Sequence, residues 1–440
     1  MSLRKLVLGV VAGAAMAVPG ALPATAADTV FFPLLVYRTG PYAPSGIPVA
    51  NGFVDYFKLL NERDGGIGGA KVVWEECETA YDTKLGVECY ERLKGKHGGA
   101  LVVNPYATAI TYALIPKAPV DKVVIHSMGY GRTDAADGRV FPWVFNMPTT
   151  YWSQASAIIK YIAGKEGGLD KLKDKKITLV YHNSAYGKEP IPTLETLAKK
   201  YGFKYEGLAV NHPGQEQGAT WLQIRRNKPD YVIMWGWGVM NQVAIKEAAS
   251  IGFPMDHFIG GWWSGSEADV EPVGKGAVGY TAATFTATGT DFPLFQDLKK
   301  FVYDKGQGSG QWDRVGEVLY NRAIMNAVYN AEAVRIAQKK FNVKAPNGEQ
   351  VRWAFENFEL TAERLKELGL EGFAQPIKLS CMDHEGNGPV MIQQWDGKTW
   401  KRVSDWIEPM RDVVRPLIEA SAANYAKENN ITPRDCSKVN

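Results

Sequence analysis

A set of aromatic residues carries the first chemical signal: Tyr37, Tyr42, Tyr106, Tyr130, Trp152, Tyr186, Trp235, Trp237, Trp262 and Trp263. Each falls at, or just beyond, the carboxyl end of a strand the sequence predicts, or at the start of a helix. Rings that only fill a core sit in mid-strand or on helix stripes, so rings gathered at strand exits point to a ligand cleft that they line. Other chemistries are weaker. Gly65-Gly66-Ile67-Gly68-Gly69-Ala70-Lys71 has the composition of a phosphate loop. It follows a helix and precedes a strand, however, whereas a phosphate loop follows a strand and opens a helix, so it reads as a connection. Gly261-Trp262-Trp263-Ser264-Gly265 departs from the G-x-S-x-G of a nucleophile elbow, and no histidine partner can be assigned. His126 and His182 end strands and read as hydrogen-bonded structural groups, while Glu75, Glu76 and Asp82 read as a solvated edge. No C-x-x-C occurs and the six histidines are scattered, which argues against a metal cluster. With no nucleophile–base pair, metal cluster or dinucleotide fingerprint, the sequence predicts a protein that is not an enzyme and needs no cofactor.

The elements that position these rings alternate in type. From Asp28, short apolar runs alternate with segments of helical period, the signature of a parallel sheet covered on both faces. Strands are predicted at Val30–Tyr37, Lys71–Glu76, Ala100–Asn104 and Lys122–His126, with helices near Ile47–Arg63, Lys84–Lys94 and Thr108–Lys117. In the first helix Ile47, Ala50, Val54, Phe57 and Leu60 form one apolar stripe, and Gly65 and Gly66 stop it. After Asn146-Met147-Pro148 a second series follows. Its strands are Ile177–Tyr181, Lys204–Val210, Tyr231–Trp235 and His257–Gly260; its helices are Gln154–Ala163, Pro192–Tyr201, Gly218–Asn227 and Asn241–Ile251. Two α/β lobes built alike fit this better than one large sheet. Further on, the pattern predicts an extended run at Tyr280–Phe285 and a long helix from Val315 to about Gln338. A hairpin follows around Asp396-Gly397, then a helix over Leu417–Asn429 with Pro416 at its first turn.

Length and charge agree with two lobes. At 440 residues, 45% of them apolar, the chain exceeds the roughly 250–300 residues at which single cores stop growing. The amino end has Arg4 and Lys5, an apolar run from Leu6 to Val18, and Ala24-Thr25-Ala26, which together read as a signal peptide over residues 1–26. The run is shorter than the ~20 residues a membrane span needs. Without Arg4 and Lys5 the formal charge of +3 falls close to neutrality, which gives no footprint for nucleic acid or an anionic membrane. The mature protein is expected to be soluble and exported. Four cysteines in an exported protein predict disulfides. Three pairings are open, and joining near neighbours favours Cys77 with Cys89 and Cys381 with Cys436.

Several short motifs occur in a particular order behind the signal segment. They are Thr39-Gly40-Pro41 before the helix through Asn51-Gly52, Asn61-Glu62-Arg63-Asp64-Gly65-Gly66-Ile67-Gly68-Gly69, Tyr81-Asp82-Thr83-Lys84 and Asn183-Ser184-Ala185-Tyr186-Gly187. Asp383-His384-Glu385-Gly386 and Gln394-Trp395-Asp396-Gly397 follow. In this order they resemble the Leu/Ile/Val-binding type of periplasmic solute-binding protein, the type I fold that serves ABC importers, over essentially the whole mature chain. The resemblance implies two Rossmann-like lobes with parallel-type sheets, joined by a three-linker hinge that closes on a ligand. One lobe would comprise 27–147 plus about 283–388, the other 148–282 plus about 389–440. It implies a monomeric periplasmic protein whose partners are a small-molecule ligand and an ABC permease in the inner membrane. A ligand sensor on the same fold, and an exported two-domain enzyme, are the alternatives.

Carried over position by position, the resemblance also implies a site. Thr108, in the loop Asn104-Pro105-Tyr106-Ala107-Thr108, stands where a hydroxyl holds a ligand carboxylate. Met128 and Tyr130 lie in the loop that meets the same ligand end. Tyr186 matches a tyrosine of the second lobe, and Trp237 falls where an aromatic closes the pocket. Tyr106 and Trp152 add rings, and Tyr37, Tyr42 and Ser45 form one wall. The acidic residue that family members set against an amino acid's ammonium falls at Trp262, with Glu267 and Asp269 nearby in sequence. A buried ammonium without a carboxylate partner is costly. The expected ligand is therefore an aromatic or hydrophobic carboxylate without an α-amino group, with branched-chain amino acids or amides as the alternative.

Overall fold

The computed structural model describes residues 28–438, so the predicted signal segment lies outside the described residues. In the first lobe β1 (Thr29–Val36) is buried everywhere except Thr29, as a strand covered on both faces must be. It pairs in parallel with β2 (Lys71–Glu78) from Thr29 opposite Lys71 to Val36 opposite Glu78. On its other side β1 meets the chain of β3 (Val102–Val103) only at the bridges Phe31–Ala100 and Leu34–Asn104. Pro33 sits between those bridges and has no N–H to donate, which explains the interruption. Parallel pairing then continues through β4 (Val124–His126) to β5 (Val144–Phe145), giving the spatial order 2-1-3-4-5.

The second lobe repeats that order. Strands β6 (Lys176–His182), β7 (Lys204–Val210), β8 (Tyr231–Trp235), β9 (Phe258–Gly260) and β10 (Thr281–Thr284) pair in parallel as 7-6-8-9-10. A short antiparallel pair, β11 (Glu359–Leu360) and β12 (Ile377–Lys378), lies apart from both sheets. The predicted hairpin, β13 (Met391–Trp395) and β14 (Trp400–Arg402), adds antiparallel strands beside β10. In each lobe the strand order reverses beside β1 or β6, and open α/β sheets bind ligands at the carboxyl ends of the strands flanking such a reversal.

Helix Ala43–Asp64 ends at Gly65, whose left-handed φ of 68° lets its N–H reach the Leu60 carbonyl. It packs on the long helix Val318–Phe341. A side chain at Gly52 would lie 2.5 Å from the Tyr320 carbonyl oxygen, so only glycine permits this approach. Every residue from Val318 to Val334 is buried, the pattern of a helix enclosed on all sides.

The chain crosses between lobes at Asn146–Thr149, again after β10, and again between Glu385 and Val390. The first and third crossings are laced together: the Thr149 hydroxyl donates to the Gly388 carbonyl at 2.8 Å, and the Thr150 N–H and hydroxyl both donate to Glu385 Oε1. β10 pairs within the second sheet as far as Thr284. The carboxyl-terminal helix is longer than expected. It spans Arg411–Glu428, with Pro416 inside it rather than at its first turn. Arg411 and Arg415 hold the extra turn by bonding Asp383, Gly386 and the Met382 carbonyl.

The tail beyond that helix bonds to segments outside the expected stretch of about 389–440. Arg434 donates its backbone N–H to the Arg139 carbonyl and its guanidinium to Gly138 and Glu356, and Cys436 is bonded to Cys381. These partners belong to first-lobe segments. The other disulfide joins Cys77 in β2 to Cys89 in the helix Thr83–Leu93, with Cα atoms 5.7 Å apart.

Candidate functional site

The strand ends of both sheets deliver their loops to one interface. From the first lobe come Tyr37 after β1, Tyr81 after β2, Tyr106 and Thr108 after β3, and Gly129 and Tyr130 after β4. From the second come Tyr151 at the start of the helix Tyr151–Glu166, Tyr186 after β6, Trp237 after β8, and Trp262 and Trp263 after β9. Tyr130 stacks on Trp263 with ring centres 4.5 Å apart, and Tyr151 stacks on Trp262 at 5.3 Å. Trp237 meets Trp263 edge-on at 5.3 Å and Tyr37 at 6.2 Å, while Tyr106 meets Tyr130 at 5.8 Å. These rings form one buried aromatic seam between the lobes.

Polar atoms within that seam divide into two groups. The indole N–H groups of Trp262 and Trp263 both donate to the Gly129 carbonyl. Gly129 has a φ of 68°, and a side chain there would lie 3.0 Å from Trp262 Nε1, so close approach demands glycine. Tyr186 donates to the Gly236 carbonyl at 3.1 Å. In contrast, the hydroxyls of Tyr37, Tyr106, Thr108, Tyr130 and Tyr151 and the indole N–H of Trp237 make no hydrogen bond of normal geometry among the described residues, although Tyr37 and Tyr130, and Tyr151 and Thr108, lie close enough to influence each other. Buried polar atoms are normally paired, and these six gather along one seam. Burial, with neighbouring phenols, holds the Tyr37, Tyr106 and Tyr151 hydroxyls protonated and therefore able to donate.

The remaining predicted residues are placed differently. Tyr42 bridges the lobes: its hydroxyl lies 2.9 Å from His182 Nε2 and 2.7 Å from His212 Nδ1, donating to one ring and accepting from the other. Burial pushes His182 down to about 3 and lowers His212, so both rings are neutral near pH 7. Trp152 donates its N–H to the Glu189 carbonyl at 2.7 Å, which leaves that group unavailable to a ligand. Ser45 and Met128 are buried, Ser45 in the first turn of the helix Ala43–Asp64 and Met128 beside Gly129. Ser264 is bonded to the backbone of Gly236, and His126 is bonded to Asn330 and the Met147 carbonyl. Glu76 and Glu75 pair with Arg38 and Lys96, and Asp82 caps a helix.

Sequence reasoning missed four contributors. Tyr81 and Tyr151 follow a strand and open a helix, the same signal that marked the other rings. Glu189 is buried at the lobe interface and accepts from Tyr112 and Thr133 of the first lobe; burial pushes its carboxyl up to about 7. Arg322 is 1% exposed on the helix Val318–Phe341. It donates to the Trp262 carbonyl and, at 3.3 Å, to the Thr284 hydroxyl, with its guanidinium 4.8 Å over Trp263 and 4.7 Å over Phe285. Its signal was present: it is the only charge in the stretch from Val318 to Ala331.

Asp269 and Glu267, the carboxylates nearest in sequence to Trp262, are engaged elsewhere. Asp269 accepts from Asn241 and from the N–H and hydroxyl of Ser266, and Glu267 accepts from the Val318 N–H. Among the described residues no group of three or more His, Cys, Asp or Glu gathers to hold a metal ion, and no helix is long and apolar enough to cross a membrane. A separate cavity of about 520 Å³ lies between Pro44, Ile47 and Asn51 on one side and Gln242, Pro272 and Arg314 on the other; none of the predicted site residues lines it.

Comparison with known proteins places this geometry in a family. No curated protein matches the sequence. A solved structure from the Pseudomonas fluorescens group, named an ABC transporter permease, is 46% identical, covering 93% of this chain and 99% of that one with a TM-score of 0.87. A branched-chain amino acid ABC transporter protein from Thermus thermophilus, solved with bound valine, is 20% identical over 88% of this chain and 98% of its own, with a TM-score of 0.74. A solute-binding protein from R. palustris in complex with benzoate is 16% identical over 87% and 97%, with a TM-score of 0.66. The latter two speak to the fold alone. The family model for periplasmic binding proteins matches residues 29–399, from the start of β1 to the turn before β14. The chain belongs to the periplasmic binding protein family and has its type I fold.

Proposed function

We propose that this solute-binding component of an ABC transporter captures a small aromatic or hydrophobic carboxylate without an α-amino group, between its two lobes. The observation that carries this reading is the set of orphaned hydroxyls on Tyr37, Tyr106, Thr108, Tyr130 and Tyr151, enclosed by indole and phenol rings. Hydroxyl donors suit a carboxylate, and the rings suit an apolar or aromatic body. An ammonium would need a carboxylate partner; Asp269 and Glu267 already accept bonds from their own loops and from Val318, and Glu189, the buried carboxyl beside Thr108, accepts from Tyr112 and Thr133. The benzoate bound by the R. palustris protein belongs to this ligand class, and the valine of the Thermus protein represents the alternative. In the cell, the chain would be exported through residues 1–26 and would hand its solute, from the closed form, to a permease in the inner membrane. Closure follows solute binding only to the extent that the solute prefers the closed form.

A thermal-shift screen against benzoate, hexanoate, benzamide and leucine tests the reading. A ligand at 100 times its dissociation constant should add roughly 2.7 kcal/mol of stability. Benzoate or hexanoate should stabilise the protein and leucine should not; tight leucine binding, or silence from every carboxylate, overturns it. Thr108→Val should weaken carboxylate binding by roughly 10- to 100-fold in calorimetry, the range for a hydrogen bond to a charged group.

A further inference from the structure

We propose that Arg322 is the specificity residue that makes the solute site select an anion: the seam between the lobes holds a guanidinium without a protein counter-ion, and the solute's charge supplies one. The inference rests on the reading of this seam as the solute site. Both groups that Arg322 bonds, the Trp262 carbonyl and the Thr284 hydroxyl, are neutral, and its Nε–H finds no partner among the described residues. Arginines elsewhere in the chain behave differently. Arg132 pairs with Asp134, Arg335 and Arg364 with Glu332, and Arg434 with Glu356, although all four are more exposed than Arg322. A buried charge is normally paired, and arginine does not escape the requirement by losing its proton. The acids closest in effect form no ion pair with it. Asp269 acts on the guanidinium only from a distance, its oxygens bonded to Asn241 and Ser266, and burial beside Glu317 pushes Glu267 up to about 8, so that it is largely uncharged at neutral pH.

What does surround the guanidinium is aromatic. The faces of Trp263 and Phe285 hold it from two sides, a favourable but partial substitute for an anion. Trp263 is also the ring on which Tyr130 stacks, so the orphaned Tyr130 hydroxyl and the orphaned Nε–H belong to one continuous cluster. Arg322 rises from a first-lobe helix and bonds second-lobe groups, which fixes it where the lobes meet. An anionic group entering there would meet a charged donor together with neutral hydroxyl donors, whereas the matching amide would leave the charge uncompensated. A guanidinium that merely pinned the Trp262 loop would need no free donor and would confer no preference for charge.

Calorimetry with benzoate and benzamide, on the wild-type protein and on Arg322→Gln and Arg322→Lys, decides between these roles. Wild type should prefer benzoate by roughly 100-fold, the scale of a charge-assisted hydrogen bond in a buried site. Arg322→Gln should bring the two ligands to within about fivefold, while Arg322→Lys, which keeps the charge, should retain at least about a tenfold preference. Should the glutamine variant fail to fold, the Arg322 Nε–H resonance of the ¹⁵N-labelled wild type reports directly: benzoate should move it and benzamide should not. An unchanged preference in a folded Arg322→Gln, or an unmoved resonance at benzoate saturation, overturns the proposal. Benzamide binding wild type as tightly as benzoate overturns charge selection but leaves the aromatic-solute reading standing; binding of neither overturns both.

Discussion

The two halves of the seam share a strand order but not a chemistry. On the first-lobe side, Tyr37, Tyr106, Thr108 and Tyr130 bring hydroxyls that have no partner within the protein. The second-lobe side leaves Tyr151, Trp235 and Trp237 unpaired, but Trp262, Trp263, Tyr186 and Ser264 are each fixed through a backbone carbonyl. One half offers mainly hydroxyls; the other mixes unpaired groups, Gln154 and Ser153 among them, with indoles and a phenol held by backbone carbonyls. The difference separates hydroxyl donors on the first lobe from the bulkier rings of the second. On the proposed reading a solute meets the first half and the second covers it.

The largest expected effect breaks that division at its apolar side. Trp263 is 3% exposed and touches Tyr130, Trp237 and Arg322, so Trp263→Ala should cost about 3–5 kcal/mol of stability by urea unfolding. Tyr130→Phe, which removes only an unpaired hydroxyl, should leave unfolding stability unchanged or raised while weakening solute binding. A costly Tyr130→Phe beside a mild Trp263→Ala would invert the comparison.

A second, smaller effect concerns the contact that joins the halves at Glu189. Burial raises its carboxyl from 4.5 to about 7. Its contribution to stability is therefore fully present below pH 4.5 and is lost as pH rises through 7. Glu189→Gln keeps an acceptor for Tyr112 and Thr133 but removes the charge. It should gain on the order of 1–3 kcal/mol over wild type at pH 8 and little at pH 4.5, read from urea melts at both values. The smallest effect is at Tyr42. Tyr42→Phe should cost about 1 kcal/mol in solute binding by calorimetry, because its bonds to His182 and His212 cross between lobes. Those histidines act in the opposite sense to Glu189. Their lowered values make the neutral contact fully present above pH 6.5, and it fades as pH falls toward 3. Wild-type affinity should thus fall with acid more steeply than that of Tyr42→Phe.

Legibility in the sequence followed the range of the interactions. β7, β8 and the helix Gly218–Asn227 match their expected bounds, because each is a local pattern closed by charged residues, Gly or Pro. The strand expected at Lys122–His126 begins only at Val124, since Lys122 turns left-handed with a φ of 56° to cap the preceding helix. Rings at strand exits were readable because topology alone delivers them to the seam. Whether a ring's polar atom is free was not readable: Trp152 is bonded to the Glu189 carbonyl, a partner 37 residues away, and nothing local to Trp152 announces it. Arg322 depends on contacts 38 and 60 residues distant in sequence, so only the oddity of one charge in a buried helix could have marked it.

The tail that returns across the lobes has a practical consequence. Because Cys436 is bonded to Cys381 and Arg434 is held by Arg139, Gly138 and Glu356, a label attached at the carboxyl terminus rides with the first lobe, although the strands that precede it belong to the second. A fluorescent reporter pair meant to follow closure therefore needs its second-lobe dye elsewhere, for example at exposed Leu222, and a terminal dye beside another first-lobe dye would stay silent while the protein works.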